Sequence, residues 1–167
     1  MKTKILFLVC VFVLVLMSAQ VLAASCLNEI QSKKTGDFLN EIPAFNPKLA
    51  ACDSKVSFFK NEIISVQVLM QDGTKQAFTL TLQDKKLAKV ENGGADKPTY
   101  TLGMGECEFD TFLRSDNKGG TFAYLYLQKK VQLSATGFFQ KIKLAVIKVG
   151  LGIALKKTQT PVEIACS

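Results

Sequence analysis

The sequence predicts an α+β domain, and three features carry that reading. Between Ile64 and Met104 apolar and polar residues alternate with period two. From Gly105 the period lengthens to that of a helix, and from Phe138 to Lys157 a long apolar run carries Lys at helical spacings.

Taking the elements in order, the polar stretch from Ala24 to Ser57 is broken by Gly36, Pro43 and Pro47, so only short helices or loops are expected there. Ile64, Val66, Val68 and Met70 then alternate with Ser65, Gln67 and Leu69 as a first strand, and Asp72 and Gly73 supply a hairpin turn that accepts positive φ. Phe78, Leu80 and Leu82 alternate with Thr79, Thr81 and Gln83, as a sheet with one wet face requires. A turn at Asp84 to Lys86 leads to a shorter strand over Leu87 to Glu91. A loop at Asn92 to Gly94 precedes a fourth strand over Thr99 to Met104, with Tyr100, Leu102 and Met104 on one face. These four strands read as a meander.

In Gly105 to Ser115 the residues Phe109, Phe112 and Leu113 fall at i, i+3 and i+4, behind Glu106, Glu108 and Asp110, which suit the positive end of a helix. Asn117 to Gly120 ends that helix. Thr121 to Leu127 fits helix or strand equally, Val131, Leu133 and Ala135 alternate as a last strand, and Thr136 and Gly137 break into the final helix, Phe138 to Lys157. There Phe138, Ile142, Ala145, Val146, Val149 and Ile153 form one face. Phe139, Leu144, Ile147, Leu151 and Leu155 widen it beyond the arc of about 100° that packing on a sheet needs. The surplus suits a second core layer, a lipid-filled cavity or a membrane surface.

The N-terminus has the layout of a secretory signal: Lys2 and Lys4, thirteen apolar residues from Ile5 to Met17, then SAQVLAAS. Thirteen residues rise only about 20 Å as a helix, short of a bilayer core of roughly 30 Å. Val21 and Ala23 fit cleavage after Ala23, which leaves about 144 residues and, with Lys2 and Lys4 gone, lowers the net charge from +7 to +5. Cys26, Cys52, Cys107 and Cys166 remain, an even number that reads as two disulfides whose pairing stays open. Their wide spacing does not suit a zinc knuckle or a redox CxxC, so no metal and no cofactor is expected. The segment LAASC, Leu22 to Cys26, supports a minor alternative, a lipoprotein anchored at Cys26.

The chain contains no His. That removes Ser/His/Asp and Cys/His nucleophiles and His-ligated metals. Glu106 and Glu108, two apart at a helix start, do not face one pocket as a carboxylate pair must. No enzyme is expected. Nor is a nucleic-acid partner, since the charge is dispersed and Arg114 is the single arginine.

The strand ending in TYTLGM, the acidic-start helix ECEFDTFLRS, a glycine turn, the segment FAYLYLQKKVQL and a Lys-bearing apolar helix together resemble the C-terminal part of the sterol carrier protein type 2 lipid-binding domain. The preceding hairpins, SVQVLMQDGTKQAFTLTLQDKKLAKVENGG, resemble that family's first strands, so the resemblance spans about Ile63 to Lys157. Two departures stand out. QKKVQLSATG replaces the usual glycine-containing string before the last strand, and the polar N-terminal region differs from the family's opening helix.

The resemblance implies a five-stranded, mostly antiparallel sheet covered on one face by helices, with an apolar cavity between. The organisation is then a signal peptide at 1–23, a polar Cys-bearing segment of the domain at 24–57, the lipid-binding domain at 58–157, and a tail at 158–167 held by Cys166. The implied function is to hold a sterol, fatty acid or phospholipid chain, extract it from a transiently contacted membrane surface and release it elsewhere. Candidate lining residues are Phe78, Leu80, Leu102, Met104, Phe109, Phe112, Leu133, Phe138, Ile142, Val146 and Val149, all of which equally suit an ordinary core. Tyr124, sharing a face with Tyr126 if the segment is a strand, offers a phenol to a lipid hydroxyl or carboxyl. Two further readings stay open: a protein acting at a membrane interface through the helix Phe138 to Lys157, and a disulfide-stapled structural module.

Overall fold

The computed structural model describes residues 34–49, 61–145 and 166. Their elements are α1 (Thr35–Leu49), β1 (Glu62–Leu69), β2 (Lys75–Gln83), β3 (Lys86–Asn92), β4 (Tyr100–Gly105), α2 (Glu106–Arg114), α3 (Lys118–Leu127) and β5 (Val131–Ala135), followed by a helix, α4, described over 138–145. The expected α+β class, the five strands and the mostly antiparallel pairing are all present: three of the four strand pairings are antiparallel.

The strand order β3-β2-β1-β4-β5 corrects the expected meander. β4 pairs in parallel with β1 rather than with its predecessor β3. β3 is an edge strand and β4 lies on the far side of β1, so residues 93–99 must cross the sheet over β2 and β1. They do so flat against its polar face: Gly93 N–H donates to the Ala77 carbonyl at 2.8 Å, the Thr79 hydroxyl donates to the Gly93 carbonyl at 2.8 Å, and Thr99 N–H donates to the Ile63 carbonyl at 2.7 Å. A Cβ on Gly94 would stand 3.3 Å from Ser65 Oγ, a close approach that favours glycine. The crossing strap buries Ser65 and Thr79 on the face that alternation alone assigns to water.

Two turns follow the expected chemistry. Gly73 takes φ +82°, and the Asp72 carboxylate accepts from Thr74 N–H at 2.8 Å and from the Thr74 hydroxyl at 2.6 Å, bonds that hold its pKa below the usual carboxylate value. At Asp84 and Lys85 both φ angles are positive, 50° and 66°, which turns β2 into β3 without a glycine.

The second correction is α1. A fifteen-residue helix stands where only short helices or loops were expected, with Pro43 and Pro47 inside it. Its stripe Phe38, Ile42, Phe45 and Leu49 is buried at helical spacing, and this tertiary burial outweighs the backbone hydrogen bonds the prolines cannot make. Two polar contacts fix its position. Asp110 of α2, itself buried, accepts from Thr35 N–H and from the Thr35 hydroxyl, both at 2.7 Å, placing a carboxylate on the first turn of α1. Asn46 donates through Nδ2 to the Val90 carbonyl at 2.7 Å and accepts through Oδ1 from Val90 N–H at 2.8 Å. A side-chain amide thereby imitates a neighbouring strand and closes the edge of β3.

The segment Thr121 to Leu127, left open between helix and strand by its sequence, is helical. Asn117, expected to end α2, begins α3: its side chain accepts from Gly120 N–H at 3.0 Å. Of the expected disulfides, Cys107 is joined to Cys166 with Cα atoms 5.2 Å apart, so the C-terminal tail is tied to the start of α2. Cys26 and Cys52, the signal segment, and Val146 to Lys157 of the expected long helix lie outside the described residues. Among the described residues no helix is long and apolar enough to cross a membrane, and no cluster of metal-ligating side chains occurs.

Candidate functional site

Strand register places Ile64, Val66 and Val68 of β1 beside Leu80, Phe78 and Gln76 of β2 and beside Tyr100, Leu102 and Met104 of β4; β5 adds Leu133 next to Leu102 and Val131 next to Met104. Residues paired across strands share a face, so this is one continuous apolar surface, and the helices pack on it.

The surface divides in two. Toward the end where β4 runs into α2 it is closed: Val66, Val68, Phe78 and Met104 are buried beneath Phe38, Phe109, Leu113 and Leu125. Phe38, Phe78 and Phe109 form a triangle with ring centroids 5.2, 5.4 and 5.5 Å apart, and Phe112 stacks on Phe109 at 6.1 Å. Edge-to-face and tilted rings at these distances add to the stabilisation that comes from burial alone.

Toward the other end the cover is incomplete. Ile64 on the central strand, its neighbour Leu80 on β2, Leu102 on β4 at the rung of Val66, and Leu133 on the edge strand β5 are only partly buried on the helix side. Tyr100, between Ile64 and Ala135, is buried, and burial together with the charge of Glu62 raises its phenol pKa. This half-covered floor is the candidate site. Its described side chains are apolar, a surface that favours hydrocarbon over water.

The expected site residues separate accordingly. Leu80, Leu102 and Leu133 are in the floor. Phe78, Met104 and Phe109 form the closed layer beside it, and Phe112 and Tyr124 are half-buried against that layer. Tyr124 and Tyr126 do not share a face, because two helical positions differ by about 200°; Tyr126, whose phenol pKa is raised by burial, points elsewhere. Phe138 and Ile142 are not in the floor: they are 72% and 49% exposed, and Leu144 is the residue of α4 that is buried. Val146 and Val149 lie outside the described residues. Sequence reasoning passed over Ile64, although its place in the first alternating strand marks the right face, and Phe38, which the expectation of only short helices or loops before β1 hid.

No protein-family model matches this sequence, and no match to it was found among curated proteins. Its structure is similar to solved structures of sterol carrier proteins. Palmitated SCP2L2 from Aedes aegypti is 18% identical, with a TM-score of 0.45 over 72% of this chain and 94% of that one. Sterol carrier protein-2 like-3 of the same mosquito is 21% identical, with a TM-score of 0.42 over 70% and 98%. Sterol carrier protein 2 from Yarrowia lipolytica, in its apo form, is 16% identical, with a TM-score of 0.40 over 65% and 86%.

Proposed function

We propose that the mature protein is an exported lipid carrier that holds a sterol, fatty acyl or phospholipid chain against the floor Ile64, Leu80, Leu102 and Leu133. The observation that supports this reading most is that Ile64, Leu80 and Leu102, on the three inner strands of a helix-covered sheet face, are only partly buried, with Leu133 beside them on the edge strand. An apolar cavity above the floor would remove ligand hydrocarbon from water at roughly 25 cal/mol per Å², enough for several kcal/mol without a dedicated polar contact. Export rests on the signal-like N-terminus and agrees with a disulfide between Cys107 and Cys166, a bond that persists in oxidising compartments.

The test is titration of the oxidised protein with a fluorescent fatty acid below its critical micelle concentration, alongside Leu102→Trp. The wild type takes up one equivalent saturably. Leu102→Trp, which fills the floor with a larger side chain, keeps the folded circular-dichroism signature and weakens uptake about tenfold or more. Absence of saturable uptake by a folded wild type removes the carrier reading.

A further inference from the structure

We infer that the end of the sheet at which α4 begins is a docking face for an anionic lipid bilayer. The inference concerns where a carrier would meet its membrane and does not depend on uptake of a ligand.

Five large apolar residues are exposed among the described ones, and four of them gather at this end: Ile63, Phe138, Phe139 and Ile142. Their grouping follows from backbone pairing. Ile63 is the second residue of β1, on the Ser65 face of the sheet; its carbonyl accepts from Thr99 N–H, and the Thr99 carbonyl accepts from Thr136 N–H at 2.9 Å. The chain then turns at Gly137, with φ +88°, into Phe138. Phe138 and Phe139 pack edge to face at 5.7 Å, yet remain 72% and 79% exposed. Two adjacent rings presented to water are costly to leave uncovered, at roughly 25 cal/mol per Å² of apolar surface.

The charge at this end of the sheet indicates the partner. At this end Lys85 lies in the β2–β3 turn and Lys86 opens β3, and Asp84 N–H of that turn donates to Asn61 Oδ1 at 2.9 Å. Lys97 comes just before Thr99, and Lys141 and Lys143 lie on the first turns of α4. Against these five stand Asp84, Asp96 and Glu62; Lys143 and Glu62 pair with each other at 2.6 Å, which leaves four lysines against two carboxylates. At the far end of the sheet Asp72, Glu106 and Glu108 offset Lys75, Lys129 and Lys130, with Lys130 3.7 Å from Glu108. The aromatic end is thus the basic end. Exposed aromatic rings bordered by lysines match a headgroup layer that is negative at its surface and apolar beneath. A protein partner's acidic groove would meet the lysines but would not need two adjacent rings projecting from a helix start.

The chain has no Trp, so a single introduced indole reports its own surroundings. Phe139→Trp is compared with Leu69→Trp, whose site is 52% exposed at the opposite end of β1. With phosphatidylcholine vesicles containing about 30% phosphatidylserine, the fluorescence of Phe139→Trp shifts to the blue and loses quenching by acrylamide, while Leu69→Trp keeps its aqueous spectrum. The shift in Phe139→Trp is at least about fivefold weaker on pure phosphatidylcholine and falls as salt is raised. Phe139→Ser lowers vesicle partitioning of the otherwise native protein about tenfold or more. Equal shifts in the two variants, or none in Phe139→Trp, overturn the inference. So does a concentration-dependent shift of Phe139→Trp without vesicles, which would assign the patch to a second copy of the chain. Fatty-acid uptake without docking would refute this face and leave the carrier reading intact; docking without uptake would do the reverse.

Discussion

Removing the amide of Asn46 tests how the edge of the sheet is closed. Asn46→Ala deletes two hydrogen bonds of 2.7 and 2.8 Å and leaves both backbone groups of Val90, a residue only 1% exposed, without these partners. Stranding a buried donor or acceptor costs about 1–3 kcal/mol each. Ala is a better helix former than Asn by about half a kcal/mol, which offsets part of that loss. The expected net destabilisation is therefore about 2–4 kcal/mol, a large share of the roughly 5–15 kcal/mol typical of a domain. Urea unfolding monitored by circular dichroism reads it as a lowered midpoint with unchanged m-value. Hydrogen exchange at the Val90 amide gives the local confirmation, since its protection should fall by more than that of the Val66 amide in central β1. Asn46→Asp should also destabilise, because it keeps an acceptor for Val90 N–H but sets a carboxylate oxygen against the Val90 carbonyl. A destabilisation below about 0.5 kcal/mol with the Val90 amide still protected would refute the claim that α1 closes this edge through Asn46.

Asp110→Ala strands Thr35 N–H and its hydroxyl and removes a negative group from the start of α1, so a loss of about 2–4 kcal/mol is expected by urea unfolding; a change near zero would show that α1 is held by its apolar stripe alone. The double substitution Cys107→Ser and Cys166→Ser opens a cross-link spanning 59 residues and should cost about 2–4 kcal/mol without reductant, while non-reducing peptide mapping of the wild type should find the second disulfide between Cys26 and Cys52. Burial raises the pKa of Tyr100, with help from Glu62, and that of Tyr126. The unfolded chain therefore ionises these phenols first: their contribution to stability is complete below about pH 10 and is lost as pH rises from there toward the folded values. The urea midpoint should fall more steeply between about pH 9.5 and 11 in the wild type than in Tyr100→Phe, and equal slopes would contradict the assignment.

The strands and α2 were legible because each carries one unambiguous period: Phe78, Leu80 and Leu82 can only line one face of a strand, and Phe109, Phe112 and Leu113 one face of a helix. α1 was not, because Pro43 and Pro47 are local vetoes and the opposing term, burial of Phe38, Ile42, Phe45 and Leu49, is tertiary. The spacing of those four residues was the available sign of it. FAYLYL in α3 alternates like a strand, yet Thr121, Ala123 and Leu125 are buried and the aromatics between them are half-buried; a helix apolar on every side leaves no period to choose by. The parallel β1–β4 pairing has no local signature at all. It depends on the strap 93–99 lying against Ser65 and Thr79, two residues that the alternation pattern marks only as wet. At the site, Leu80, Leu102 and Leu133 follow from alternation, whereas the separation of half-covered floor from closed Phe layer depends on which helix lies over which strand.

The central claim, that the half-covered floor holds lipid, is tested most directly by native mass spectrometry of the mature, oxidised protein purified from a lipid-containing host, followed by extraction of whatever is bound. The carrier account predicts a stoichiometric adduct that leaves on denaturation, is identifiable as a sterol, fatty acid or phospholipid, and is depleted in Leu102→Trp. An apo mass in the wild type, unchanged after incubation with fatty acid or sterol, would contradict it.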